Sequence, residues 1–178
     1  MKKIFLSLMM FIFMSIGYAS EKKPLIIYFS YSGNTKLVAE TIQKNTNGDI
    51  FRIETKKPYP ESYNKTTEIV QDEFNNKIYP ELKFTKINNL EEYDTIFIGY
   101  PIWWDTMPMA VQGFLKVNDF SGKTIIPFCT HGGSRFGSSL NDLKKLIPNS
   151  QIKEGLETSN AHSSRTETEI KTWLDKII

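Results

Sequence analysis

Three short segments hold most of the side chains that could bind a ligand. Residues 30–35 read SYSGNT, residues 101–108 read PIWWDTMP and residues 130–137 read THGGSRFG. We call them the first, second and third loops. Each follows an apolar run typical of a buried strand, so their chemistry depends on whether the fold brings those strand ends together.

The first loop combines hydroxyls with a glycine just before an amphipathic helix. The start of a helix offers free backbone N–H groups and the positive end of its dipole, which together suit a phosphate. Gly33 allows a close backbone approach, and hydroxyls can add donors. The candidate residues of this loop are Ser30, Ser32, Gly33, Asn34 and Thr35. The alternative is an ordinary turn in which a Ser or Thr caps the helix.

The second loop places two tryptophans side by side, where a loop offers little core to bury them. A flat conjugated ligand would give such rings a stacking partner. The candidate residues are Pro101, Ile102, Trp103 and Trp104. The alternative is that both indoles pack beneath the neighbouring helix.

The third loop is rich in glycine, which lets backbone N–H groups approach the edge of a ligand. The candidate residues are His131, Gly132, Gly133, Ser134, Phe136 and Gly137. Phe136 is expected to cover one ligand face. His131 has two interpretations, a proton donor to the ligand or a structural histidine, and the second is commoner. Cys129 lies within the preceding strand and is expected to be inert.

Strand and helix patterns alternate five times along the chain. Strands are predicted at residues 24–30, 49–54, 95–100, 123–130 and 151–156, and helices at 35–47, 63–76, 108–115, 138–147 and from Ser164 onward. Ser164 and Glu167 have the spacing of a capping box. Such alternation predicts a five-stranded parallel sheet of order 2-1-3-4-5, with helices on both faces. In this topology the three loops meet at the carboxyl ends of the strands.

Composition restricts the class of partner. The 178 residues include 22 Lys and Arg and 20 Asp and Glu, and the first nineteen residues contain two lysines and no acid. The remainder is therefore neutral, which argues against a nucleic-acid partner. The chain has one cysteine, which excludes an internal disulfide and a CxxC pair.

The N-terminus has the pattern of a secretory signal peptide. Lys2 and Lys3 precede an apolar run at residues 4–16, and Gly17 and Ala19 put small residues at the cleavage positions. We expect a signal at residues 1–19, a domain at residues 20–178 and a periplasmic or extracellular location. The apolar run is short for a membrane span, so no stable membrane insertion is expected after cleavage. An uncleaved anchor is the alternative.

The first loop resembles the S/T-x-S/T-G-N-T phosphate loop of flavodoxins, and GYPIWW and CTHGGS resemble one branch of that family. The resemblance implies a flavodoxin-like three-layer sandwich and FMN as the cofactor. It implies that the first loop binds the phosphate, that Trp103 stacks on the flavin ring and that the third loop binds the pyrimidine edge. The implied function is electron transfer between redox partner proteins.

Two features depart from this family pattern. Many flavodoxins have glycine after the stacking tryptophan, where a peptide with positive φ stabilises the half-reduced flavin. Here Trp104 occupies that position, and a bulky residue is expected to resist positive φ. Family carriers are usually acidic, whereas this domain is neutral. Both departures favour an alternative, an FMN-dependent NAD(P)H:quinone-type oxidoreductase, while small size and resemblance favour the carrier. A third alternative is a binding module that has lost FMN.

Overall fold

A single parallel sheet forms the middle layer of the protein. The computed structural model describes residues 22–178, so the predicted signal peptide lies outside the described residues. The strands are β1 (Leu25–Tyr28), β2 (Asp49–Arg52), β3 (Thr95–Pro101), β4 (Thr124–Thr130), β5 (Gln151–Ile152) and β6 (Leu156–Thr158). Their order is β2-β1-β3-β4-β5, with β6 also paired to β4. The predicted strand order is confirmed.

Within residues 22–178, five α-helices cover the sheet on two faces. They are α1 (Asn34–Thr46), α2 (Tyr63–Asn76), α3 (Met109–Val117), α4 (Ser139–Leu146) and α5 (Ser164–Ile177), and a short 3-10 helix spans Leu90–Glu92. Successive residues of a strand point to opposite faces. Ile26 accordingly packs in the core beneath α1 and α5, and Ile27 packs in the core on the side of α3 and α4. Across residues 22–178, no helix has the length and apolar character needed to cross a bilayer.

The fifth predicted strand is divided, and the cause lies in its neighbour. Pro127 of β4 stands between the residues that pair with β5 and those that pair with β6. Proline has no N–H to donate to a sheet ladder, so pairing is interrupted beside it. Gly155 lies in the gap between β5 and β6. A side chain does not fit there, because an added Cβ would lie 2.5 Å from the Pro127 carbonyl oxygen. The expectation of one continuous strand at residues 151–156 was therefore wrong.

Two details of the helices also differ from expectation. The N-cap of α5 is Ser163, whose Oγ accepts from the Arg165 N–H at 3.2 Å, so the predicted capping box at Ser164 is wrong by one residue. Glu167 instead faces Lys44 of α1, with 3.7 Å between Oε1 and Nζ.

Candidate functional site

The three loops lie together at the carboxyl edge of the sheet, because β1, β3 and β4 are neighbours. Hydrogen bonds join the loops directly. The hydroxyls of Thr35 and Thr130 are 2.8 Å apart, and the Ile102 N–H donates to the Thr130 carbonyl at 2.8 Å. The Ser138 N–H donates to the Asp105 carbonyl at 2.7 Å. Residues far apart in sequence thus form one connected rim.

The first loop contains an unpaired polar atom. Ser30 is only 6% exposed, and its Oγ is the one fully buried side-chain N or O atom within residues 22–178 that has no hydrogen-bond partner. A buried hydroxyl without a partner is costly, so Ser30 Oγ is a candidate for contact with a ligand. Gly33 is the N-cap of α1 with φ 93°, and it provides no side-chain cap. Space for a Cβ at Gly33 is open, so glycine is needed there for its conformation.

A cation that the sequence did not suggest lies next to this loop. Arg52 ends β2, and its Nη2 donates to the Ser30 carbonyl at 3.3 Å. Lys36, which follows the first loop directly, instead faces Glu40 at 3.5 Å. Parallel pairing of β1 with β2 places Tyr28 opposite Arg52 and so explains the approach. The strand pattern could have revealed this neighbour, since β2 was expected at the sheet edge.

The second loop forms a tight two-residue turn. The N–H of Trp103 donates to Thr106 O at 2.8 Å, and the N–H of Thr106 donates back to Trp103 O at 3.1 Å. Trp104 and Asp105 between them have φ values of 48° and 66°. Two left-handed central residues are the requirement of a type I′ hairpin turn. The expectation that a bulky Trp104 would resist positive φ is therefore wrong.

The surrounding structure holds this strained turn in place. The Asp105 carbonyl accepts from both the N–H and the Oγ of Ser138, at 2.7 and 2.9 Å. The Thr106 hydroxyl donates to Asp142 of α4 at 2.8 Å. Strained backbone persists only where neighbouring contacts over-determine it. Ser138 and Asp142 were not among the predicted site residues, because only the tertiary fold shows that Ser138 meets the Asp105 carbonyl and Asp142 meets the Thr106 hydroxyl.

The two tryptophans have different environments. Trp103 is packed edge-on against the rings of Phe29, Tyr31 and Tyr59, with centroid separations of 5.5, 5.8 and 5.2 Å. Trp104 is 52% exposed at the tip of the turn. Trp103 therefore has several aromatic partners within the protein, whereas Trp104 presents much of its indole to solvent or to a ligand.

The glycines of the third loop fall into two groups. Space above Gly132 and Gly133 is open, and Gly133 has φ 131°. Gly137 has φ 50°, and an added Cβ would lie 2.3 Å from the Asp105 carbonyl oxygen. The first two glycines leave room for a ligand, and Gly137 lets the second and third loops touch.

The other third-loop side chains are directed partly by packing. Phe136 is packed against the core. Its ring lies against Gly155, in the gap between β5 and β6, because a Cβ added at Gly155 would be 2.7 Å from that ring. Ser134 accepts the Gly137 N–H at 3.0 Å through its carbonyl and closes the loop. Burial raises the pKa of the Cys129 thiol, which favours its protonated form.

Both ring nitrogens of His131 have partners. Nδ1 accepts from the Gly133 N–H at 3.0 Å, and Nε2 contacts the carboxylate of Glu157. Since an accepting Nδ1 carries no proton, Nε2 is the protonated nitrogen and donates to Glu157. The side chain is only 6% exposed. With both nitrogens engaged, His131 orients the third loop. This arrangement agrees with the interpretation of His131 as a structural histidine.

Behind the second loop lies a buried acid that the sequence did not single out. Glu73 of α2 is buried, and its two carboxylate oxygens accept from the Tyr59 hydroxyl at 3.1 and 2.8 Å. Burial raises the pKa of Glu73 above its ordinary value, and the hydrogen bond from Tyr59 opposes that rise. Tyr59 in turn contacts Trp103. A polar contact thus supports the aromatic cluster from below.

Within the part of the chain that the structure covers, no three His, Cys, Asp or Glu side chains lie close enough together to hold a metal ion. The groups that the three loops offer are N–H groups at a helix start, hydroxyls and aromatic rings. This is the donor set that a phosphorylated aromatic ligand requires.

Comparison with known proteins shows which family the chain resembles. The family model described as flavodoxin matches residues 23–177. A proposed flavoprotein from Bacteroides eggerthii is 37% identical, with a TM-score of 0.76 and coverage of 88% of this chain and 98% of its own. Another from Bacteroides uniformis is 30% identical, with a TM-score of 0.74 and coverage of 88% and 99%.

A more distant structure shares the fold. The flavoprotein from Lactobacillus acidophilus, solved in complex with FMN, is 21% identical with a TM-score of 0.65, and the match covers 86% of this chain and 99% of that one. No curated protein matches the sequence.

Proposed function

Because the chain belongs to the flavodoxin family, we propose that it binds FMN at the three loops and carries electrons between partner proteins. FMN, when bound, supplies one-electron and two-electron redox chemistry. The protein's own residues hold the phosphate, position the ring and exclude water. A relative of the same fold is described as a complex with FMN, which supports this choice of cofactor.

The observation that carries the proposal is the buried, unpaired hydroxyl of Ser30 beside the uncapped start of α1. A phosphate at this position would accept from Ser30 and from the free N–H groups of the first helical turn. Open space above Gly33 leaves room for it. Arg52, at the Ser30 carbonyl, adds positive charge nearby.

For the ring, the exposed indole of Trp104 is the better stacking surface. Trp103 is already packed edge-on against three aromatic rings, whereas Trp104 is half exposed at the tip of the turn. The resemblance implied stacking by Trp103, and we propose that Trp104 contributes most of the contact area. The open backbone at Gly132 and Gly133 would bind the pyrimidine edge.

The test compares FMN with riboflavin, which lacks the phosphate. Wild-type protein should bind FMN far more tightly, measured by the quenching of flavin fluorescence. Ser30→Ala should weaken FMN about 10-fold to 100-fold, the cost of one hydrogen bond to a charged group, and leave riboflavin unchanged. Ser164→Ala, at the first residue of α5, is the matched control and should change neither affinity. Equal affinities for FMN and riboflavin in the wild type would exclude a phosphate site at the first loop.

Location and partners form the second part of the proposal. The signal-like pattern of residues 1–19 supports export, with redox proteins of the periplasm or the exterior as partners. Expression of the full chain in a bacterium, followed by fractionation and mass determination, should give an exported form that begins at Ser20. A carrier should not oxidise NADH or NADPH by itself. Rapid bleaching of the bound flavin by either nucleotide would favour the reductase instead.

A further inference from the structure

A cavity of about 540 Å³ opens beside the second loop, between that loop and helix α2. Its walls include Tyr31 and Ser32 of the first loop, Trp103 and Trp104 of the second, and Tyr63 and Thr67 of α2. The volume lies within the range of small-molecule sites. None of the third-loop glycines lines it. A flavin ring that reaches those glycines would therefore leave the part of the cavity next to α2 unoccupied.

The lining of this cavity is uncharged. Although 24% of the chain is Asp, Glu, Lys or Arg, none of these residues borders the cavity. Most hydroxyls in its wall already donate inside the protein. Thr66 Oγ1 donates to Pro60 O at 2.7 Å, Thr67 Oγ1 donates to Tyr63 O at 2.9 Å, and the Tyr31 hydroxyl donates to Pro60 O.

Two hydroxyls of the lining remain, those of Ser32 and Tyr63. The Tyr63 side chain is 78% exposed, next to the half-exposed indole of Trp104. Two exposed aromatic rings beside an apolar cavity suit a flat aromatic ligand, and a single phenolic donor suits one carbonyl oxygen. A nicotinamide dinucleotide fits poorly, because its phosphates would find no cation in the lining.

We propose that this cavity is a binding site for an uncharged, planar aromatic carbonyl compound of the quinone class. The site lies against the second loop, which also forms part of the proposed FMN site, so the compound would be held beside the cofactor. The proposal does not depend on FMN binding, since it is argued from the lining residues alone. It adds a small-molecule ligand to a protein that we otherwise propose to serve protein partners.

The test uses 2,3-dimethyl-1,4-naphthoquinone, which is uncharged and cannot alkylate thiols at its substituted ring carbons. Binding is measured by calorimetry with FMN-free and FMN-loaded protein. Thr67→Phe fills the cavity from α2 and should weaken quinone binding at least about 10-fold, with FMN affinity unchanged. Tyr63→Phe removes only the exposed hydroxyl and should weaken it about fivefold. Thr168→Phe is the matched control, because Thr168 is an exposed α5 threonine that also donates to the carbonyl four residues earlier.

Each outcome decides the proposal. Loss of quinone binding in Thr67→Phe, with FMN affinity and thermal midpoint retained, supports it. Unchanged quinone affinity in Thr67→Phe and Tyr63→Phe overturns it. Joint loss of quinone and FMN in Thr67→Phe also overturns it, since the cavity would then be the seat of the flavin ring, while the proposed function would stand. Equally tight binding of anthraquinone-2-sulfonate would overturn the assignment to an uncharged ligand.

Discussion

Replacement of Gly137 by alanine tests whether the third loop holds the strained turn of the second. An added Cβ would lie 2.3 Å from the Asp105 carbonyl oxygen and 3.0 Å from its carbonyl carbon. These are backbone atoms, so no side-chain rotation can relieve the overlap. The Asp105 peptide must move, and it then loses its hydrogen bonds from the N–H and Oγ of Ser138.

The expected cost has two parts. A non-glycine residue at the left-handed φ of Gly137 costs about 1–2 kcal/mol. The two hydrogen bonds from Ser138 contribute about 1 kcal/mol each. Gly137→Ala should therefore lower the free energy of unfolding by about 3–4 kcal/mol, which shifts a urea midpoint down by roughly 1–2 M.

Two alanine variants of the same loop calibrate the measurement. Gly132→Ala meets open space at an ordinary φ, so its stability should stay within about 0.5 kcal/mol of the wild type. Gly133→Ala also meets open space, but the φ of Gly133 is 131°. Its loss of stability should therefore reflect only the cost of positive φ for alanine, without the loss of hydrogen bonds. Urea unfolding of FMN-free protein, followed by circular dichroism, gives all three values. If Gly137→Ala unfolds at the same urea concentration as Gly132→Ala, the contact between the loops does not support the turn.

Three further predictions concern buried groups. Because burial raises the pKa of Glu73, its contribution to stability is complete below the ordinary pKa of a glutamate and is lost as pH rises through the raised pKa. Glu73→Gln, which retains an acceptor for Tyr59, should therefore gain stability relative to wild type over that rise in pH, as measured by urea titrations. The Cys129 thiol, buried with a raised pKa, should react with Ellman's reagent only after unfolding, and prompt reaction in native protein would contradict its placement. Thr130→Val leaves the Thr35 hydroxyl without its partner and should cost about 1–2 kcal/mol by urea unfolding, whereas the double valine variant should cost less than the two single changes combined.

The exposed Trp104 and the packed Trp103 show where sequence reasoning reached its limit. Both indoles were expected near a ligand because they share a loop. Which indole keeps a free face depends on Phe29, Tyr31 and Tyr59, and all three lie outside the second loop's own strand and helix. Contacts of such long sequence separation leave no periodic signal in the chain. The same holds for Ser138, whose partner carbonyl belongs to Asp105.

The divided fifth strand is a different kind of failure, because its cause was visible in the sequence. Pro127 interrupts an otherwise strand-like run, and proline cannot donate to a ladder. The rule bears on the strand that pairs with Pro127 as well as on β4 itself. Register between strands was needed to see which residues faced the missing donor.

The order of hydrophobic and polar residues by itself determined the helices, most strands and the strand order, since local periodicity selects each element and right-handed crossovers leave few arrangements. Helix α2 occupies the predicted residues 63–76, and the order 2-1-3-4-5 is confirmed. The tertiary structure alone decided that the Ser30 hydroxyl is buried without a partner, that Trp104 takes a left-handed conformation and that a cavity opens beside α2. Each of these depends on groups brought together from distant parts of the chain, and no local pattern encodes such distances.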